Sequence, residues 1–185
     1  MLHLMKRRRS QGQAMVEFAL VAPVFFLLVF SVIQFGILFG GQNGLVGATR
    51  EFARYAAPYR VKTSTDATNV CNDTRLGTQL TTFLKRSIPG YVSTNVEQRQ
   101  VVYSWQPNPD GTYYVQLQIK VSYHFPLYVP LVGGLIDGFD PNPWKSDGRF
   151  MLDATEQMRV ENEDLTASYL TSTGTNVANT VTCTI

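Results

Sequence analysis

The longest apolar run of the chain lies close to its start. No charged residue occurs between residues 18 and 49, and FALVAPVFFLLVFSVIQFGILF contributes 22 residues of that run. A helix rises about 1.5 Å per residue, so this segment would extend about 33 Å, enough to cross a bilayer. A secretory signal peptide has a shorter apolar core, of about 7–15 residues, followed by an A-x-A-like site, whereas GGQNGLVGATREFARYAA follows here. The pattern predicts a retained transmembrane helix over residues 13–41, preceded by residues 1–12.

Helical spacing continues beyond the apolar run. The apolar residues that recur at this spacing are Leu45, Ala48, Phe52, Tyr55 and Tyr59. They predict an amphipathic helix or linker over residues 42–60, which caps the outer domain or lies against the membrane. Four glycines lie between residues 40 and 47. Because each glycine weakens a helix by about 1 kcal/mol relative to alanine, we expect a flexible joint there.

Alternation of apolar and polar residues replaces helical spacing in the second half of the chain. The clearest run is TYYVQLQIKVSYHF, which places apolar and polar residues on opposite faces of a strand. The turn-rich loop QPNPDG joins it to VVYSW, which predicts an antiparallel hairpin. Alternation over residues 150–160 predicts a third strand. The apolar residues of the clearest run are Tyr113, Val115, Leu117, Ile119, Val121, Tyr123 and Phe125.

A further helix is expected to cover this sheet. The segment NDTRLGTQLTTFLKRSIPG starts with a capping residue, Asn72 or Asp73, and ends at Pro89 and Gly90. Its apolar stripe consists of Leu76, Leu80, Phe83 and Leu84. The predicted fold class is therefore α+β, with a long N-terminal transmembrane helix followed by a small antiparallel β-sheet that has helices packed on one face. The α+β domain would span residues 61–165, and residues 166–185 would form a polar, mobile tail.

Charge sets the expected orientation of the membrane helix. The basic residues that precede it are Lys6, Arg7, Arg8 and Arg9. The next charges after it, Arg50 and Glu51, nearly cancel, so the N-terminus is expected in the cytoplasm and the C-terminal domain outside it. Without these four basic residues, the chain contains twelve Lys and Arg and fourteen Asp and Glu. The outer part therefore has no basic excess, and we do not expect it to bind nucleic acid.

A glycine and a glutamate flank the entry into the apolar helix. Gly12 is followed by Gln13, and Glu17 is the fifth residue after the glycine. A carboxylate in a bilayer costs about 2.5–3.5 kcal/mol even on the mildest insertion scale, so its retention here calls for a reason. By itself the basic cluster is no more than a topogenic signal. Together with this spacing it forms a specific pattern.

The pattern resembles the class III signal of type IV pilins, in which a basic leader ends in glycine, the fifth residue beyond is glutamate, and the helix is retained. More narrowly, GQAMVEFALVAPVFFLLVFSVIQFG is similar to the TadE-like pseudopilins of tight-adherence pili, and GATREFARYAAPY continues the likeness. Ser31 and Gln34 depart from it, because glycine and an acid are frequent at those positions. The likeness is close over residues 6–60 and only architectural beyond them.

The resemblance implies a pilin-like structural protein, a pseudopilin or minor pilin, that is cut between Gly12 and Gln13 by a prepilin peptidase. Its implied partners are that peptidase, other pilin-like subunits, the pilus assembly machinery and the lipid bilayer. Its implied location is the bacterial inner membrane, as a single-pass protein of a pilus used in surface attachment. Major pilins of that system are far shorter, which favours a minor component or assembly factor. The alternative is an uncleaved, membrane-anchored binding module or adhesin that acts through residues 125–147.

Cleavage would give Glu17 a charged partner. It creates an α-amino group on Gln13, with an ordinary pKa near 8, four residues before Glu17 on the same helix. This amine can pair with the glutamate of its own chain or with that of a neighbouring subunit, and the resemblance favours the neighbour. The other interpretation is that Glu17 lies at headgroup depth and reaches water there.

Little in the outer domain indicates catalysis. Its single histidine, His124, falls on the polar face of a strand and is expected to be solvated, and no Ser-His-Asp set, phosphate loop, HExxH or CxxC motif occurs. We therefore expect no enzymatic activity, cofactor or metal. Cys71 and Cys183 are the only cysteines. In an oxidising compartment they are a candidate disulfide, with two free thiols as the alternative.

Overall fold

The structure, a computed structural model, describes residues 3–139, 148–161, 163–178 and 180–185. Side chains are described from residue 12 onward, apart from those of residues 130 and 131. The chain divides into two compact units. The smaller unit combines Met1–Leu38 with Pro126–Phe150, and the larger combines Phe39–Phe125 with Met151–Ile185.

The described residues form five α-helices and four strands. The helices are α1 (His3–Ala56), α2 (Ser64–Cys71), α3 (Thr74–Ser87), α4 (Pro130–Asp137) and α5 (Ala167–Ser172). The strands are β1 (Val96–Pro107), β2 (Tyr113–Pro126), β3 (Arg149–Arg159) and β4 (Val181–Thr184), in the sheet order β3-β2-β1-β4. A long N-terminal apolar helix is thus followed by an antiparallel sheet with helices packed against it, which confirms the predicted α+β class.

Strands β1 and β2 form the predicted hairpin. Trp105 lies opposite Val115 in the antiparallel register. The turn closes where the Asn108 amide donates to the Thr112 carbonyl oxygen at 2.8 Å. Gly111 in this turn has a φ of 81°, a left-handed conformation that glycine adopts without a steric penalty. The alternation predicted along β2 holds from residue 115 to 121, whereas residues 121–125 are all buried.

Helices α1 and α3 supply the predicted apolar stripes to the core of the larger unit. The buried residues of these stripes are Leu45, Ala48, Phe52, Leu76, Leu80 and Leu84. Asp73 caps α3, because its carboxylate accepts the Arg75 amide at 2.9 Å. The apolar spacing therefore identified both the helices and the faces that they bury.

Three elements in the larger unit were not predicted, namely α2, α5 and β4. Helix α2 begins with a capping box, in which the Thr63 hydroxyl accepts the Asp66 amide at 3.1 Å and the Asp66 carboxylate accepts the Thr63 amide at 2.9 Å. Strand β4 pairs antiparallel with β1, with Cys183 opposite Val101. The expectation of a mobile tail is therefore wrong for Ala167–Ser172, which form α5, and for Val181–Thr184, which form an edge strand.

The glycines of α1 do not form the expected joint, because the helix continues through them to Ala56. Two of them permit close packing instead. A Cβ on Gly41 would lie 2.7 Å from an edge carbon of the Phe125 ring, and a Cβ on Gly44 would lie 2.9 Å from the carbonyl carbon of Ser87. Neither distance is tolerated between real carbon atoms. These glycines therefore let neighbouring chain segments approach the helix backbone.

Gly44→Ala should destabilise the protein by about 1–3 kcal/mol, because the added methyl group overpacks the contact with the backbone of Ser87. Gly47→Ala is the matched control, since no atom lies within 4 Å of a Cβ at that position. It should be neutral or stabilising by up to about 1 kcal/mol, because alanine is the better helix former. Thermal unfolding of the full chain in detergent micelles, followed by circular dichroism, measures both. Equal stability of the two variants would contradict the packing role of Gly44.

Candidate functional site

The first part of α1 presents apolar side chains on every side. Met15, Phe18 and Leu20 are 75, 71 and 72% exposed, although side chains of this kind are buried in most soluble proteins. Among the described residues, Gly12–Ala56 is the one helix that is long and apolar enough to span a membrane, and none of its most apolar window is buried. A helix that is hydrophobic all round and unburied is typical of a lipid-facing segment.

The three residues of the predicted processing site lie at the start of this surface. Gly12, Gln13 and Glu17 are exposed on consecutive turns of α1. The Gln13 side-chain amide donates to the Glu17 carboxylate at 3.0 Å, across one helical turn. The structure therefore brings together the residue that would carry the new amino group and the carboxylate with which it was predicted to interact.

Gly12 has no structural requirement for glycine. No described atom lies within 4 Å of a Cβ built at that position, in contrast to Gly41 and Gly44. Glycine inside a helix costs about 1 kcal/mol relative to alanine, so folding alone favours another residue there. Gly36 and Gly47 on the same helix are equally open, so packing within the described residues does not explain glycine at position 12.

The basic cluster is only partly described. The backbone of Lys6, Arg7, Arg8 and Arg9 lies within α1. Their side chains fall outside the described residues, and so do residues 140–147 of the loop that the alternative function would use.

Gln34 is a polar residue within the apolar part of α1 whose role the sequence did not reveal. Its side chain is fully buried, and its Oε1 atom accepts the backbone amides of Tyr128 at 3.0 Å and Val129 at 3.1 Å. A carboxylate at this position would accept the same two amides. Glutamine in place of the frequent acid therefore keeps a hydrogen-bond acceptor at this position. That acceptor binds backbone amides.

Cys71 ends α2 and Cys183 lies in β4, and the structure joins them in a disulfide with a Cα–Cα distance of 5.7 Å. The bond links the edge strand to the helix beside it. It encloses most of the larger unit, because the two cysteines are 112 residues apart.

The interpretation of His124 as a solvated residue is wrong. It is 6% exposed, and its Nε2 atom lies 2.6 Å from the Glu97 carboxylate on the neighbouring strand. Ser122, on the same face of β2, donates to the Asp153 carboxylate at 2.5 Å. Pairing across strands explains how polar side chains remain buried at this end of β2. Among the described residues, no group of three or more His, Cys, Asp or Glu is arranged to hold a metal ion.

Residues 12–54 match the family model described as TadE-like protein. The match covers the apolar helix and its continuation to the end of the amphipathic stripe, and it confirms the resemblance seen in the sequence. The likeness to TadE-like proteins is thus shown for residues 12–54 and does not extend over the sheet. No curated protein and no solved structure matches the chain.

Cys183→Ser should lower the free energy of unfolding by about 2–4 kcal/mol, because the disulfide restricts the unfolded chain over a long loop. Thr182→Ser, at an exposed position on the same strand, is the control and should leave stability unchanged. Denaturant unfolding of the full chain in micelles measures the difference. Peptide mapping without reductant should recover the two cysteines in one linked pair, and two alkylatable thiols would refute the bond.

Proposed function

We propose that the protein is a pilin-like structural protein, a pseudopilin or minor pilin, that is processed by a prepilin peptidase and takes part in assembling a tight-adherence pilus used in surface attachment. The observation that carries the proposal is that the family match begins at the glycine of the predicted signal. The TadE-like match begins at Gly12, where the glycine and glutamate of the predicted signal open an exposed apolar helix. The role is structural rather than enzymatic.

The open surroundings of Gly12 support cleavage at that position. A peptidase that accepts only a small residue before the scissile bond would explain a glycine that the fold itself does not need. The exposed position of Gln13 and Glu17 leaves the same stretch accessible to an enzyme or to a neighbouring subunit. Residues 1–12 then act as a leader, and α1 acts as the anchor.

The proposed orientation of the protein in the membrane rests on charge. The basic cluster before the helix holds the N-terminus in the cytoplasm, where the peptidase would act, and leaves the α+β domain outside the inner membrane. An oxidising compartment on that side suits the pair Cys71 and Cys183. Prepilin peptidase, other pilin-like subunits, the assembly machinery and the bilayer are the proposed partners.

Gly12→Val should block processing without preventing membrane insertion, because the β-branched side chain fills the scissile position while the apolar helix is unchanged. Gly36→Val is the matched control, since Gly36 lies on the same helix and a Cβ there also meets no atom within 4 Å. Intact-mass measurement of membrane-extracted protein, from cells with a working pilus system, should show loss of residues 1–12 in the wild type and in Gly36→Val alone. Uncut wild-type protein in those cells would overturn the cleavage step.

Glu17→Ala should leave cleavage intact and weaken association with other pilus components. A neighbouring subunit's amino group would lose its counter-charge, and an unpaired charge in an apolar setting is strongly unfavourable. Glu17→Gln keeps the size and polarity without the charge, so it should show the same loss if the charge is what matters. Crosslinking of cleaved variants measures association. Wild-type crosslinking of a cleaved Glu17→Ala chain would refute the pairing role.

A further inference from the structure

The connection between β2 and β3 contains an unusually apolar segment. Residues 127–139, here called the apolar connection, read LYVPLVGGLIDGF and contain one charged residue, Asp137. Connections on the surface of a soluble domain are generally polar, because they face water. The composition of the apolar connection therefore points to a different environment.

The apolar connection is fastened to the membrane helix within the smaller unit. Consecutive amides of the connection, those of Tyr128 and Val129, donate to the Oε1 atom of Gln34 on α1. At its base, the Leu127 amide donates to the Gly148 carbonyl oxygen at 3.0 Å. The start of the connection is thus held against one defined turn of α1.

Helix α4 and Phe139, two residues after its end, present both buried and exposed apolar side chains. Val132 and Ile136 are buried, whereas Leu135 and Phe139 are 60 and 84% exposed. Outside α1, the described residues include only five exposed large apolar side chains, namely Val92, Tyr128, Leu135, Phe139 and Tyr169. Three of the five belong to the apolar connection. An exposed apolar cluster of this kind marks a surface that contacts something other than water.

The attachment point fixes the depth of this cluster. Gln34 lies 16 residues after Phe18, where the apolar run begins, and this is about 24 Å along the helix axis at about 1.5 Å per residue. The hydrocarbon core of a bilayer is about 30 Å thick, so the turn at Gln34 lies close to its far boundary. Ile33 and Phe35 beside it are 48 and 46% exposed, which makes the lipid-facing surface of α1 continuous with the apolar connection.

We propose that the apolar connection is a second membrane contact, which rests in the bilayer interface beside α1 and inserts Leu135 and Phe139 among phospholipid chains. Tyr128 suits this depth, because its ring is apolar and its hydroxyl reaches the headgroups. Phospholipid is the favoured occupant because the connection is hydrogen-bonded to a helix whose adjoining surface also faces lipid. The inference requires α1 to span the membrane, and it does not depend on processing or on a role in a pilus.

The proposal is tested by measuring the depth of a nitroxide label on the full chain in phospholipid nanodiscs that hold one chain each. The test positions are Leu135→Cys and Phe139→Cys. The references are Val32→Cys, on the exposed surface of α1, and Thr155→Cys, at an exposed position of β3. Accessibility of each label to oxygen, which enters lipid, is compared with its accessibility to a water-soluble nickel chelate.

The oxygen-to-nickel ratio at positions 135 and 139 should exceed the ratio at 155 several-fold and approach the ratio at 32. A ratio equal to that at position 155 would overturn the proposal. A high ratio that occurs only in discs holding several chains would also overturn it, because the cluster would then be covered by another copy. Intact mass of the same samples reports cleavage separately, so failure of the membrane contact and failure of the proposed function are distinguishable.

A pair of variants tests the attachment. Gln34→Leu removes the acceptor of the Tyr128 and Val129 amides and should move the label at position 139 toward water. Gln34→Glu keeps an oxygen at that position and should leave the label where it was. The label at position 155 should be unchanged in both, and an unchanged far-UV circular dichroism spectrum should show that the larger unit is still folded. An unchanged label at 139 in Gln34→Leu would refute the role of Gln34 in placing the connection.

Discussion

A peptide group in hydrocarbon has no water to bind, so each backbone N–H and C=O must find its partner within the protein. A helix meets this requirement along its length, and α1, which is apolar enough to span a membrane, is unbroken from His3 to Ala56, although Pro23 has no N–H to donate. The same helix then serves a second purpose. Beyond Gly41 its surface is shaped by protein, with Phe125 and the backbone of Ser87 in close approach. Much of the larger unit is built against the continuation of a helix that is apolar enough to span a membrane.

The elements predicted from sequence were those whose burial follows a short period. The spacing of Leu76, Leu80 and Leu84 identified α3, and the alternation along β2 identified its buried face, because each pattern is contained within one element. The sequence predictions failed where a contact with a residue far away in the chain decides how a residue is packed. The reason for Gly44 is the backbone of Ser87, 43 positions later, and no local pattern links the two.

The same limit applies to the polar residues. His124 is buried because Glu97 lies beside it on β1, and Gln34 is buried because two amides of the connection after β2 reach it. Strand β4 is only four residues long, so its β-branched residues are a weak signal, and the strand is established by pairing with β1. The candidate site, by contrast, could be predicted directly from the spacing of Gly12 and Glu17, because a processing enzyme would recognise a continuous stretch of sequence.

Glu17 and Gln34 show two ways of keeping a polar group in an apolar helix. Gln34 is enclosed, and its oxygen is occupied by two amides of its own chain. Glu17 is exposed and accepts one hydrogen bond from Gln13, whereas an ionised carboxylate has room for about four. The first arrangement satisfies the Gln34 oxygen within the chain, while its buried Nε2 atom has no hydrogen-bond partner among the described residues. The second leaves acceptor capacity on the exposed surface, which the proposed contact between subunits would use.

The disulfide between α2 and β4 has a mechanical consequence. If α1 anchors the protein as proposed, a load on that helix enters the larger unit ahead of Cys71. The bond closes a covalent ring around the 112-residue interval that separates the two cysteines. At roughly 3.4 Å per residue, the chain inside the ring would be roughly 380 Å long if fully extended. The disulfide prevents tension from extending this part of the chain. Tension that unfolded the sheet would therefore lengthen the protein only by the short segments outside the ring.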